Sequence, residues 1–238
     1  VIRHKKNLKA YCPEPRRMMN SDYRICKRCL MDTSDPEIVF DEQGVCNHCH
    51  DYDRLVAQKV LEGKVGREYL ERLVEKMKHD GRNKPYDCII GVSGGVDSTY
   101  VAYLVKQMGL RPLAVHMDNG WDSELAVKNI EETLKRLGID LYTEVLDWEE
   151  FKDIQVALLK ASTPDSEIPS DHAISGVLGN MADKLKVKYI ISGANVRTES
   201  HLPRAWSYGH FDWKYIRSVH KMFGSGRLKS FPYIGFFT

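Results

Sequence analysis

The chain has 238 residues, enough for one α/β domain and a small appendage. Its 35 Lys and Arg nearly balance 33 Asp and Glu, which excludes the broad basic field of a nucleic-acid sheath. No apolar run approaches the roughly eighteen residues of a membrane span, no secretory signal is visible, and a cytoplasmic location is expected.

Residues 1–19 carry Arg3, Lys5, Lys6, Lys9, Arg16 and Arg17 before Met18 and Met19. They are expected to form a solvated leader, native or appended, ahead of the organised sequence. Residues 20–51 follow as a metal ribbon. Cys26-x-x-Cys29 and Cys46-x-x-Cys49 are separated by sixteen residues, the spacing of a four-cysteine zinc site. Each C-x-x-C turn offers two thiolates, and two turns complete a closed tetrahedral shell, which is structural rather than catalytic. Redox chemistry would need one such pair only. Between the pairs, Glu37–Phe40 reads as a hairpin strand and 41–44 as its turn. His48 and His50 are expected to stand beside the site, outside the ligand set.

Residues 52–85 read as a charged helical connector. Leu55, Val56, Leu61, Leu70, Leu73, Val74 and Met77 supply apolar spacing, Gly63 and Gly66 interrupt it, and 79–85 form a loop. From Tyr86 to Ser200 strands and helices alternate. Cys88-Ile89-Ile90 reads as a buried parallel strand. The run breaks at Ser93-Gly94-Gly95, and a helix begins near Asp97, with Val101, Leu104, Val105 and Met108 at helical spacing and Gly109 at its stop. Strand, glycine turn and helix start aim several N–H groups and a positive dipole end at one point, which suits a large anion. Ser93 and Ser98 add hydroxyls. The lysine and spacing of a Walker A loop are missing.

Strand two is expected at 112–116, a helix at 123–137 closed by Gly138, strand three at 141–146 and a helix at 148–161. After a loop at 163–169, Ser170 or Asp171 caps a helix whose face is Ile174, Val177, Leu178, Met181 and Leu185. Strand four is expected at 187–192. Right-handed crossovers then predict a doubly wound parallel sheet of order 3-2-1-4, with ligands at the carboxyl end of strand one beside strand four. Residues 201–238 begin a C-terminal extension rich in aromatic and basic residues. Its apolar end, 231–238, is expected to continue into further sequence that covers this surface.

S-G-G-V-D-S after a buried strand resembles the PP-loop ATP pyrophosphatases. The resemblance implies an adenine nucleotide alpha hydrolase-like (HUP/PP-loop) fold in which Ser93, Gly94, Gly95, Val96, Asp97 and Ser98 hold the β,γ-pyrophosphate of ATP, and the α-phosphorus is attacked. It puts His116 and Met117 near the base and Asp118 and Asn119 near the ribose or reaction centre, although Asp118-Asn119-Gly120 equally suits a turn. Gly193 and Asn195 would approach the nucleotide. Glu199, with Asp97, would serve Mg²⁺, although Asp97 also suits a helix cap. Arg197 reads either as a phosphate clamp or as a surface charge. Ser93, Asp97, Asp118 and Glu199 are the catalytic candidates.

The combination C-K-R-C…V-C-N-H-C, S-G-G-V-D-S and S-G-A-N-V-R-T-E-S is similar to the N-acetyl sugar amidotransferases of bacterial surface-polysaccharide (lipopolysaccharide O-antigen) and flagellin-glycan pathways, from about residue 20 onward. That likeness implies ATP, Mg²⁺ and Zn²⁺ as cofactors and an N-acetylated (nucleotide-)sugar as substrate. It also implies a partner glutaminase like that of the histidine pathway supplying ammonia; no nucleic-acid partner is expected from the near balance of charge. Aromatic residues of 201–221 are candidate sugar contacts. The alternatives are a zinc-ribbon PP-loop enzyme that modifies tRNA by thiolation or lysidine-like amidation, and a non-enzymatic nucleotide-binding scaffold. Thiolation needs a reactive cysteine, and outside the ribbon and leader the sequence offers Cys88, within a strand.

Overall fold

The computed structural model describes residues 23–200, 203 and 211–234; the leader, Trp206, Tyr208, His210 and 235–238 lie outside the described residues. The chain divides into two compact units at Asp51 and Tyr52.

In the first unit two isolated antiparallel bridges, Ile25 with Asp32 and Phe40 with Cys46, frame the cysteine turns. The expected strand at Glu37–Phe40 is reduced to that second bridge. The Asn47 side chain takes the place of a ladder partner, accepting from Val39 N–H at 2.9 Å and donating to the Glu37 carbonyl at 3.3 Å. Gly44, at φ +81°, closes the turn with its N–H on the Asp41 carbonyl.

Helix α1 (Asn47–Lys59) begins at the second cysteine turn, and α2 (Gly63–Gly81) follows. Gly66 does not interrupt α2, and the helix runs into the expected loop as far as Gly81. The Arg111 guanidinium explains that extension. It donates to the Gly81 and Lys84 carbonyls and grips buried Asp87 with Nη2 at 2.7 Å and Nε at 3.2 Å, a long-range contact that local propensity does not encode.

The second unit then alternates β1 (Cys88–Gly91), α3 (Val96–Gln107), β2 (Pro112–Asp118), α4 (Glu124–Leu137), β3 (Asp140–Val145), α5 (Trp148–Lys160), α6 (Ile168–Leu185), β4 (Ile190–Ile191), α7 (Val196–Glu199) and α8 (Trp213–Phe223). The sheet is parallel, in the expected order β3-β2-β1-β4. Alternate residues of β1 serve opposite faces, as strand geometry requires. Cys88 and Ile90 pack with Val105, Ala114, Ile130 and Leu134, and Ile89 packs with Leu113, Val115, Val177 and Met181. Helices thus cover both faces, which is why β1 and the start of β2 read as continuous apolar runs rather than as alternation.

Two boundaries differ from expectation. Helix α6 starts at Ile168, with Pro169 in its first turn, where the missing N–H costs nothing; neither Ser170 nor Asp171 is the cap. Strand β4 is two residues long. Lys186 ends α6 in the left-handed conformation and the Val187 N–H still bonds the Ala182 carbonyl, so the chain cannot extend from Val187.

Helix α8 packs with α5 and α6 through Ile216, Val219, Phe151, Ile154, Leu158 and Ile168. The expected sugar-contacting aromatics are partly spent here: Trp213 stacks on His172 and Phe231, each at 5.6 Å, and on Tyr233 at 4.9 Å. Two carboxylates of α5 clasp the segment after α8. Asp153 accepts from His220 Nε2 at 2.7 Å, Ser225 Oγ at 2.7 Å and Gly226 N–H at 2.8 Å, and Glu150 accepts from the N–H groups of Lys229, Ser230 and Phe231. Burial would push the Asp153 carboxyl up, but the Gly226, Ser225 and His220 donors outweigh it and hold it well below the ordinary carboxylate range. A depressed folded value means that this stabilisation is complete above the unfolded pKa, about 3.9, and is lost as pH falls below it. Asp153→Ala is therefore expected to lower stability at neutral pH by about 2–4 kcal/mol and to flatten the acid limb. Urea titrations at neutral pH and near pH 3 check this; an equal loss at both would count against it.

Candidate functional site

The first turn of α3 and the loop before it form the phosphate-binding candidate. Gly95 is the N-cap, without a side-chain cap bond, and Asp97 lies in the first turn; its expected capping role falls to Gly95. Ser98 braces the loop from inside. Its hydroxyl donates to the Gly95 carbonyl at 3.1 Å and accepts from Ser93 N–H at 3.2 Å, and Ser93 Oγ lies 3.3 Å away. With that hydrogen committed, Ser93 Oγ and the helix N–H groups are the donors left for an anion. Gly94 sits at φ +74°, and a Cβ there would lie 2.4 Å from the Ala126 carbonyl oxygen. The α4 N-terminus, capped by Ser123, is thus the wall against which the glycine turn rests. The Gly94 carbonyl accepts from Asn129 Nδ2 at 3.3 Å.

The strand-four loop closes over the same helix start. A Cβ on Gly193 would stand 3.3 Å from Asp97 and from the Ser98 nitrogen, so the glycine permits a close crossing. Asn195 caps α7 through Arg197 N–H, and Glu199 accepts from Asn195 N–H at 3.1 Å. Arg197 is engaged by the Glu62 carboxylate.

These loops and the end of β2 enclose a cleft of about 430 Å³. Ser93, Asp97, Ser98, His116, Met117, Gly193 and Glu199 line it together. Asn195 lines an adjoining recess shared with Asp97 and Gly193. Gly94, Gly95, Val96 and Asp118 do not line the cleft. Asp118 instead holds a turn, accepting from Gly120 N–H at 2.9 Å, and Asn119 is on the wall in its place. Two further contributions escape the sequence. Ile174, Val177 and Leu178 form an apolar floor; at helical spacing they read as core. Asp122 also lines the cleft and lies 3.2 Å from buried His116, and nothing in a lone acid ahead of a serine cap signals this. The carboxylates Asp97 and Glu199 share one cavity, a donor set that fits a hard cation such as Mg²⁺.

The four cysteines of the ribbon have sulfur atoms all within 4.8 Å of one another. Cys29 to Cys46 is 3.6 Å, Cys46 to Cys49 is 3.7 Å and Cys26 to Cys49 is 3.8 Å. A regular tetrahedron with zinc–sulfur bonds of about 2.3 Å has edges of about 3.8 Å, so the cluster fits that ion. Burial opposes ionisation of Cys26, yet N–H donors from Cys29, Arg28 and Cys46 bring its thiol down to about 6; burial and the neighbouring sulfurs push Cys49 up. His48 pairs with buried Asp35 and His50 with Asp41, which occupies both imidazoles outside the shell. Cys88 is fully buried in β1, and burial, helped by the Asp87 charge, pushes its thiol up to about 12; such a group is a poor nucleophile.

Residues 67–171 match the family model described as NAD synthase. A stretch of 75 residues is 41% identical to the glutamine-hydrolysing GMP synthase of Pyrobaculum aerophilum, covering 31% of this chain and 14% of that one. A tRNA-specific 2-thiouridylase of Fusobacterium nucleatum is 29% identical over 144 residues, 56% of this chain and 39% of that one. Among solved structures, the NH3-dependent NAD synthetase of Campylobacter jejuni aligns at 16% identity with a TM-score of 0.42, over 66% of this chain and 72% of that one. The chain spans 14% to 39% of the lengths of the curated relatives it matches. Residues 67–171 are thus similar to the NAD synthase family. No described helix is long and apolar enough to cross a membrane.

Proposed function

We propose that this chain is a cytoplasmic ATP-dependent amidotransferase acting on an N-acetyl sugar. The observation that carries the reading is the convergence, in one cleft, of Ser93 and Ser98, the β2 edge and the carboxylates Asp97 and Glu199. In the reaction, the amide oxygen of the acetamido group attacks the α-phosphorus of ATP and pyrophosphate leaves. Ammonia then adds to the imidate carbon, the carbon–oxygen bond breaks, and AMP departs with that oxygen, leaving an acetamidino group. The protein's part is orientation and charge stabilisation. Ser93 and the N–H groups of the α3 start would hold the terminal phosphates. The β2 edge at His116 and Met117 would receive the base, and Asp97 and Glu199 would carry Mg²⁺. The ribbon would hold a structural zinc.

Ammonia would come from a separate glutaminase; the GMP synthase relative is named as glutamine-hydrolysing, which supports such a source. The motif combination that includes the four cysteines favours the sugar pathway of bacterial surface glycans over other members of the superfamily. Incubation with ATP, Mg²⁺, ammonium and N-acetylated nucleotide sugars should release AMP and pyrophosphate and replace one oxygen by NH in the product's mass. Release of ADP and orthophosphate would reject the reading.

A second reading, tRNA modification, is favoured by the thiouridylase match. Within it, the buried Cys88 argues for amidation over thiolation. Stimulation of pyrophosphate release by tRNA, with binding that weakens steeply in salt, would select it.

A further inference from the structure

Val92, the residue before the glycine turn, is held on both sides by the end of β2. Its N–H donates to the Val115 carbonyl at 3.0 Å, and its carbonyl lies 3.0 Å from His116 Nδ1. The other ring nitrogen, Nε2, stands 3.2 Å from Asp122 Oδ2. His116 is buried and stands on the cleft wall. Asp122 Oδ2 is itself buried and makes no directed hydrogen bond; the 3.2 Å approach to Nε2 is its link to the ring. The chain Asp122–His116–Val92 therefore joins the loop after β2 to the residue before the phosphate turn, along the wall of the cleft.

We propose that Asp122 is a positioning residue for the terminal phosphates: by fixing the His116 ring it sets where Ser93 and the glycine turn start, and so how the loop meets a triphosphate. This rests on the reading of the cleft as an ATP site. Both ring neighbours only accept hydrogen bonds, so the wild-type contact needs a proton on each nitrogen or on Asp122. Asparagine at 122 removes that requirement, since its amide donates to Nε2 while Nδ1–H still bonds Val92. Alanine removes the anchor altogether.

The test measures ATP and adenosine affinities for the wild type, Asp122→Ala and Asp122→Asn by calorimetry, with melting temperatures alongside. Asp122→Ala is expected to weaken ATP about tenfold, the effect of about one lost hydrogen-bond equivalent, and adenosine by clearly less; Asp122→Asn should restore ATP binding. A merely structural role would weaken both ligands equally. Equal loss of both, or an unchanged ATP affinity in Asp122→Ala, would overturn the inference alone. Wild-type protein that does not bind ATP would overturn the nucleotide reading and the inference with it.

Discussion

Gly94→Ala is expected to abolish productive ATP binding, weakening it at least a hundredfold, and to lower stability by about 2–4 kcal/mol. Two separate physical effects coincide at this residue. At φ +74° any side chain is strained. A methyl group would also stand 2.4 Å from the Ala126 carbonyl oxygen and 2.8 Å from its Cα, backbone atoms that cannot rotate away. Either the turn lifts or the α4 start moves, and each disturbs the contact of the Gly94 carbonyl with Asn129. Gly95→Ala is the control. Gly95 has φ −79°, and its Cβ would meet nothing closer than Ser93 Oγ at 3.5 Å. Stability should hold within about 0.5 kcal/mol there, while a ligand approaching the turn would feel the added methyl. Urea unfolding and calorimetric titration of ATP separate the two effects; unchanged nucleotide affinity in Gly94→Ala would refute the assignment of this turn to phosphate.

The contrast between those glycines shows what a sequence can carry. The parallel order of the sheet follows from buried apolar runs alternating with helical periodicity, because both follow from local residue type. Ser123 and Gly138 mark the ends of α4 in the letters and in the structure alike. What failed to show were effects that depend on distant partners. Gly81 remains helical because Arg111 claims its carbonyl, and β4 shortens because α6 overruns into Val187. At the cleft, Ser93, Asp97 and Glu199 line the wall, as their residue types led one to expect. Asp118 suited a turn as well as the site and serves the turn, while its neighbour Asn119 and the unforeseen Asp122 reach the wall. Which acid of a short polar loop turns inward depends on backbone geometry that composition does not fix. Trp213 shows the converse: an aromatic residue in a polar stretch reads as a ligand platform until His172, Phe231 and Tyr233 stack against it.

Removing zinc, or replacing Cys46 with serine, is expected to unfold residues 23–51. The apolar residues packed around the sulfurs are Met31, Ile38, Phe40 and Val45, all only partly buried, too small a core for independent stability. Regular structure there amounts to two bridges and the start of α1. Structural zinc in ribbons of this size contributes on the order of 10–16 kcal/mol at neutral pH, far more than those side chains supply. Cys46 is the sharper choice for substitution, since it is fully buried and its sulfur lies within 3.7 Å of both Cys29 and Cys49. Serine there leaves a hydroxyl facing three thiolates. One zinc per chain by elemental analysis, its loss in Cys46→Ser, and loss of amide-exchange protection across 23–51 on chelation are the expected results. Retained protection after chelation, or a disulfide in the purified protein, would instead assign these cysteines to redox chemistry, since a shell of four thiolates on one ion leaves no sulfur free to oxidise.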